Sequence, residues 1–182
     1  TAMDTNPLAP DTAAVLQSRE EDFKNGLLAL SGLTKGPVYV CMGPDADIPL
    51  PGHEKIMPVI VEGPHPAGNP GTHIHFLDPA ARTKHVWHIG AQDAAAAGRL
   101  FTAGKISWER TVSLAGPEVL RPRLIKTRAG ACVSELTENE CRPGRRRTVS
   151  GSVLHGHTAE GALDFLGRYD QLVTVIEESE SR

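Results

Sequence analysis

Between Glu62 and Pro79 the chain reads Glu-Gly-Pro-His-Pro-Ala-Gly-Asn-Pro-Gly-Thr-His-Ile-His-Phe-Leu-Asp-Pro. These eighteen residues hold three Gly, four Pro and three of the eight His of the chain. Such a stretch is built for backbone shape: Gly opens positive φ, whereas Pro removes donors and stiffens its neighbours. The apolar run Ile56–Val61 ahead of it reads as a buried strand. A strand that ends in a shaped loop is where α/β proteins place ligands and partner contacts. The candidate interface or ligand loop is therefore His65, Gly68, Gly71, Thr72, His73 and His75.

The rest of the chain alternates around this loop. Ser18-Arg19-Glu20-Glu21 is a capping-box pattern, and Phe23, Leu27, Leu30 and Leu33 recur at helical spacing, which predicts a helix over about 19–33. Strands are predicted at 37–42, 56–61 and 85–89, and an Ala-rich helix at 91–103 with Gly104 as its C′ glycine. A half-covered strand follows at 107–114. This order argues an α/β layer. After Ala115-Gly116-Pro117 the composition changes. Strands at 121–127, 147–154 and 172–176 and a short helix at 132–139 suggest a small α+β domain of β-grasp type. The expected division is 1–115, a Rossmann-like α/β domain, and 116–182, a β-grasp-like domain.

At 182 residues, 40% apolar and 23% charged, the chain has an ordinary globular composition with no apolar run long enough to span a bilayer as a helix. Both ends look cut, so the expectation is an excised piece of a longer protein. Cys41, Cys132 and Cys141 have no C-x-x-C spacing and read as reduced thiols. The net charge of −3 hides an asymmetry: Gly116–Ser150 carries eight Lys/Arg against four Asp/Glu, a local +4 that leaves −7 elsewhere. Arg142, Arg145, Arg146 and Arg147 form a candidate basic contact surface for anionic lipid heads or an acidic partner. Nucleic acid is not expected, since aromatic residues are only 4% and offer no stacking platform.

His73 and His75 form H-x-H, which on a strand would point both imidazoles one way, with His65, Asp78, His85 or His88 as a third metal ligand. On a helix capped by Thr72 the pair would diverge by about 200°, at ~100° per residue. The expectation is the latter: no metal, and a preformed surface with His65 and His73 as polar contacts and Gly68 and Gly71 supplying the turns. No catalytic residues and no Gly-rich nucleotide loop are found.

Gly63-Pro64-His65-Pro66-Ala67-Gly68, Gly71-Thr72-His73-Ile74-His75-Phe76-Leu77 and Val112-Ser113-Leu114-Ala115-Gly116-Pro117 resemble the A subunit of the Na+-translocating NADH:quinone reductases. So do Thr1-Ala2-Met3-Asp4-Thr5-Asn6-Pro7-Leu8-Ala9, Ser150-Gly151-Ser152-Val153-Leu154 and Leu166-Gly167-Arg168-Tyr169. The resemblance implies relatedness in fold to flavin- and NADH-binding subunits of respiratory complexes. Those subunits have a turn of the form Asn-Ala-x-Glu-x-Glu-Pro, which here has become Thr1–Pro7 with Asp4 and Asn6 in the glutamate positions. It therefore implies that flavin and NADH binding are lost from this segment. It also implies a peripheral subunit on the cytoplasmic face of the bacterial inner membrane, associated with ubiquinone and with the membrane-embedded B subunit. FMN, FAD and iron–sulfur centres would lie in other subunits. The alternative is an independent soluble module that binds a small ligand or metal at the loop 63–75.

Overall fold

A computed structural model describes residues 1–178 and divides the chain into two compact units, one of Thr1–Thr5 and Asp11–Ser107, the other of Asn6–Pro10 and Trp108 onward. The division falls at Ser107, earlier than the expected Ala115. The strand expected before the boundary carries two ladders to later strands and so belongs with them. Residues 179–182, included in the second predicted domain, lie outside the described residues.

In the first unit, α1 (Thr12–Leu16) and α2 (Glu20–Ser31) lead into β1 (Val38–Met42). Sequence patterning does not anticipate α1; Asp11 caps it by accepting from the Ala13 and Ala14 amides. The expected capping box does not form. The Ser18 and Arg19 amides both bond to the Leu16 carbonyl, which draws Ser18 to φ 149° and leaves Arg19 as the N-cap. Glu20, Glu21 and Asp22 in the first turn of α2 complement its dipole. At the other end the Lys55 ammonium donates to the Ser31 and Thr34 carbonyls, both at 3.3 Å.

A parallel partner, β2 (Ile56–Ile60), runs in register from Val38↔Ile56 to Met42↔Ile60. Pro58 is tolerated because β2 is an edge strand. Two helices follow, α3 (Pro70–Leu77) and α4 (Ala91–Ala103), the latter closed by Gly104 at φ 66° as its sequence predicts. Residues 85–89, expected as a strand, form no regular secondary structure and belong to no sheet.

Phe23, Leu27, Leu16, Val40, Met42, Ile56, Ala94 and Ala95 make one core. The α2–α4 pair closes it with small residues. A Cβ on Gly26 would run into the Ala94 carbonyl, and one on Gly98 into the Asp22 carbonyl. The helices therefore approach backbone to backbone, which Ala91, Ala94 and Ala95 permit and larger side chains would prevent.

The second unit is a five-stranded mixed sheet in the order β4-β3-β7-β5-β6. Its strands are β3 (Glu109–Ala115), β4 (Arg123–Arg128), β5 (Arg146–Ser150), β6 (His157–Thr158) and β7 (Leu172–Glu177), with helix α5 (Val133–Thr137) between β4 and β5. Parallel β3 and β7 lie side by side, flanked by antiparallel β4 and β5. This is the β-grasp arrangement that the alternation of short strands around one helix implied. Val112, Leu114, Val173 and Val175 share one face and pack with Val119, Val133 and Leu166. The strand predicted over 147–154 ends at Ser150, where Gly151 takes φ 95°. The fully buried Ser150 hydroxyl donates to Asp170 at 2.6 Å and accepts from the Gly167 amide at 2.9 Å, tying two turns together.

Two stability measurements test these contacts. Gly98→Val should destabilise the first unit by about 3 kcal/mol, because the clash is with main chain rather than a movable side chain. Asp170→Ala, which leaves the buried Ser150 hydroxyl without its acceptor, should cost about 1–3 kcal/mol. Urea unfolding of each variant checks both.

Candidate functional site

The loop that dominates the sequence folds as a turn, Gly63–Gly68, running into α3. Pro70 at N1 is pre-set for a helix, and Asn69 rather than Thr72 occupies the N-cap. Thr72 lies further in, within the first turn. Its hydroxyl turns back to donate to the Pro66 carbonyl at 3.0 Å, because a residue already inside the first turn has no capping geometry. Gly71 also departs from expectation. It is helical, at negative φ, with open space around it, so it supplies no turn. The positive φ falls on Gly63 instead.

Gly68 is needed for close approach. Its amide donates to the Thr5 hydroxyl at 2.9 Å, and a Cβ there would meet the Thr5 nitrogen. The same hydroxyl shares a 3.3 Å hydrogen bond with His65 Nδ1. Thr5 thus joins the turn Thr1–Thr5 to the loop, two blocks far apart in sequence.

His73 and His75 diverge on α3, as a helix requires. His73 is buried and His75 exposed, packed edge-on to Phe76 with ring centroids 5.0 Å apart. His73 is 6% exposed and borders the groove beside α3, whereas His75 faces solvent. Neither ring nitrogen has a hydrogen bond of normal geometry, although the Ala67 carbonyl lies nearby. Burial is the main cause that pushes the His73 imidazole below its ordinary range. His65, His73 and His75 do not converge, and no group of three or more His, Cys, Asp or Glu among the described residues is placed to hold a metal.

Beside α3 lies a groove of about 710 Å³, walled by Leu30, Val38, Tyr39, Ile74, Leu77 and Trp87. Its walls are mainly apolar, with Trp87 84% exposed at the rim and the Asp78–Lys84 ion pair nearby. Sequence reading misses this groove. The available signal is the set of apolar residues Val86, Trp87 and Ile89 without a strand partner in its own neighbourhood. Cys41 also borders the groove, and burial raises its thiol pKa.

In the second unit the four arginines lie at the turn and the start of β5, and Arg145, Arg146 and Arg147 border one pocket beside Glu178. Arg146 and Arg147 are successive residues of β5 and project to opposite faces. Arg147 is held by Glu178 through two bonds of 2.6 Å, which keeps the Glu178 carboxyl below its ordinary range. Arg146 donates to the Arg142 carbonyl at 3.2 Å. Arg142, Arg145 and Arg146 are exposed and remain grouped around the turn. Asp4 and Asn6 are half-buried. Among the described residues no helix is long and apolar enough to cross a membrane.

The chain is thus a two-part protein, an α/β unit and a β-grasp unit, each with its own core. Comparison with known families gives it a place. Residues 1–106 match the family described as NqrA second alpha/beta domain, and residues 111–161 the family described as NQRA C-terminal domain. The chain belongs to the NqrA family. It is 52% identical over its whole length to the A subunit of the Na(+)-translocating NADH-quinone reductase of Actinobacillus pleuropneumoniae serotype 5b. It is 50% identical to the protein of the same name from Rhodopirellula baltica and 48% to that from Hahella chejuensis, again over its whole length. The chain spans only 40–41% of the length of these relatives.

Two outcomes follow from the site. Gly71→Ala should be neutral or stabilising by up to ~1 kcal/mol, since the position is helical and uncrowded. His73 is held neutral by burial, so the unfolded chain binds its proton first as the pH falls. Stability should therefore drop on acidification below the unfolded pKa of about 6.5, down to the lower folded value. His73→Leu should flatten that part of the curve of urea midpoint against pH.

Proposed function

We propose that this chain is a part of the NqrA subunit of a Na+-translocating NADH:quinone reductase and carries no redox centre of its own. It contributes to the frame of the ubiquinone site and to docking on the membrane-embedded B subunit, at the cytoplasmic face of the bacterial inner membrane. FMN, FAD and iron–sulfur chemistry belong to other subunits of that complex. The observation that carries the reading is the near-50% identity that runs through the whole chain to relatives bearing that name.

The chemistry of the residues supports a contact role. The turn Thr1–Pro7 offers one carboxylate, Asp4, and an amide, Asn6, and Thr5 spends its hydroxyl on Gly68 and His65. The exposed face of the loop carries His75 and Phe76, the latter 77% exposed. The turn at Arg142–Arg146 adds a basic patch suited to an acidic partner. The divergence of His73 and His75 speaks against the metal-binding alternative.

Two experiments test the proposal. In full-length NqrA, the triple change Arg142→Glu, Arg145→Glu, Arg146→Glu should lower co-purification of the B subunit by about tenfold, the loss expected from removing a few contact residues. Undiminished co-purification together with an unchanged KM for ubiquinone would refute the docking role. The isolated chain should bind neither FMN nor NADH by calorimetry, and micromolar binding of either nucleotide would contradict the reading of the Thr1–Pro7 turn.

A further inference from the structure

Turn apices ordinarily go to Gly, Asn, Asp and Ser, which suit bent backbone and water. Two neighbouring turns at one end of the second unit's sheet break this habit. The first follows β5. The His155 and Gly156 amides both donate to the Ser152 carbonyl, at 3.2 and 2.7 Å, and the Leu154 amide donates to the Ser152 hydroxyl at 3.2 Å. Val153 and Leu154 stand at its apex. The second precedes β7. The Asp170 amide donates to the Gly167 carbonyl at 3.1 Å, which leaves Arg168 and Tyr169 as the central residues. Tyr169 is 81% and Leu154 56% exposed, and Val153 is exposed as well.

The two turns are fixed to each other beneath these side chains. The Gly151 amide donates to the Leu172 carbonyl at 2.8 Å, and the buried Thr174 hydroxyl donates to the Gly151 carbonyl at 3.0 Å. The Ser150 hydroxyl joins Asp170 and Gly167 between them, and a Cβ on Gly156 would run into the Ser150 carbonyl. Three apolar side chains are thus presented to water on a rigid base, which is how a folded scaffold carries a contact.

The chemistry of the apices points to a lipid surface. Side chains on turn apices protrude, and protruding groups enter a soft layer without a matching cavity. Three side chains also fall far short of the roughly 800 Å² per partner that a specific protein interface buries. Tyr and Arg suit a membrane interface, with ring or stem in the apolar layer and the polar end among headgroups. Here the Arg168 guanidinium lies over the Tyr169 ring, 5.2 Å from its centroid. Residues 151–156 and 167–169 include no Asp or Glu, and the Asp170 carboxylate is turned to Ser150. We propose that Val153, Leu154 and Tyr169 insert shallowly into the interfacial layer of a lipid bilayer, with Arg168 at headgroup level. This contact is separate from the docking role proposed above, whose arginine turn lies at the opposite end of β5.

The test mixes full-length NqrA, purified apart from other subunits, with phosphatidylcholine vesicles at millimolar lipid, and with vesicles that also contain phosphatidylglycerol. NqrA should sediment with both kinds, and should still do so at about 0.5 M NaCl, which screens charge but leaves apolar insertion intact. The double change Leu154→Asp, Tyr169→Asp should weaken this binding by about tenfold or more. Tyr169→Trp, a change that keeps an aromatic ring, should be quenched by brominated phosphatidylcholine. No sedimentation with either vesicle would overturn the proposal, as would binding that needs phosphatidylglycerol and is lost in salt. Full vesicle binding by the double variant, with lowered co-purification of another subunit, would also overturn it and make a protein the occupant.

Discussion

The first unit depends on the contact between Gly26 of α2 and Gly98 of α4, where the two backbones meet without side chains between them. This contact sets how far α4 lies from α2, and α2 is in turn anchored beside β1 by Phe23 and Leu27 in the shared core. Residues 85–90 run directly into α4, so their place is set by the same contact. The width of the groove between β1 and 85–89 is thus a consequence of two glycines that lie outside it. Burying a side chain the size of Phe23 contributes roughly 1.5–3 kcal/mol. Such burial supplies stability; the glycine contact supplies the spacing.

The Thr1 nitrogen donates to the Ile89 carbonyl and the Ala2 amide to the Cys41 carbonyl, both at 2.8 Å, so this short segment ties β1 to the residues that lead into α4. The loop Gly63–Gly68 is tied to the same chain a few residues on, through Thr5. The segment Thr1–Thr5 thus works as a junction between β1 and the α3 loop.

Much of this fold is legible in the sequence. Periodicity places α2 and α4, the Gly104 C-cap is visible, and the change of composition after Gly116 locates the β-grasp unit to within several residues. The boundary is displaced because β3 alternates like the end of an α/β layer, and only its pairing with β4 and β7 assigns it to the second unit. The capping box fails for a local reason: the link between α1 and α2 is too short for Ser18 to adopt an N-cap backbone. Thr72 and Gly71 mislead together, because Pro70 starts α3 earlier than the Thr-His pattern suggests. Residues 85–89 have strand composition, and composition says nothing about whether a neighbour is present to pair with.

The site follows the same division. That His73 and His75 cannot share an ion is predictable from helix geometry, but the burial of His73 is not, since it depends on which face of α3 meets the core. The arginine cluster reads as one patch because sequence proximity resembles spatial proximity; strand geometry separates Arg146 from Arg147, and Glu178 takes the latter. A paired, exposed guanidinium is screened and fixes local geometry more than it attracts a distant partner. Arg142, Arg145 and Arg146 are exposed at the turn that leads into β5. In the first unit, the rings of His75 and Phe76 stand exposed on α3, packed edge-on to each other.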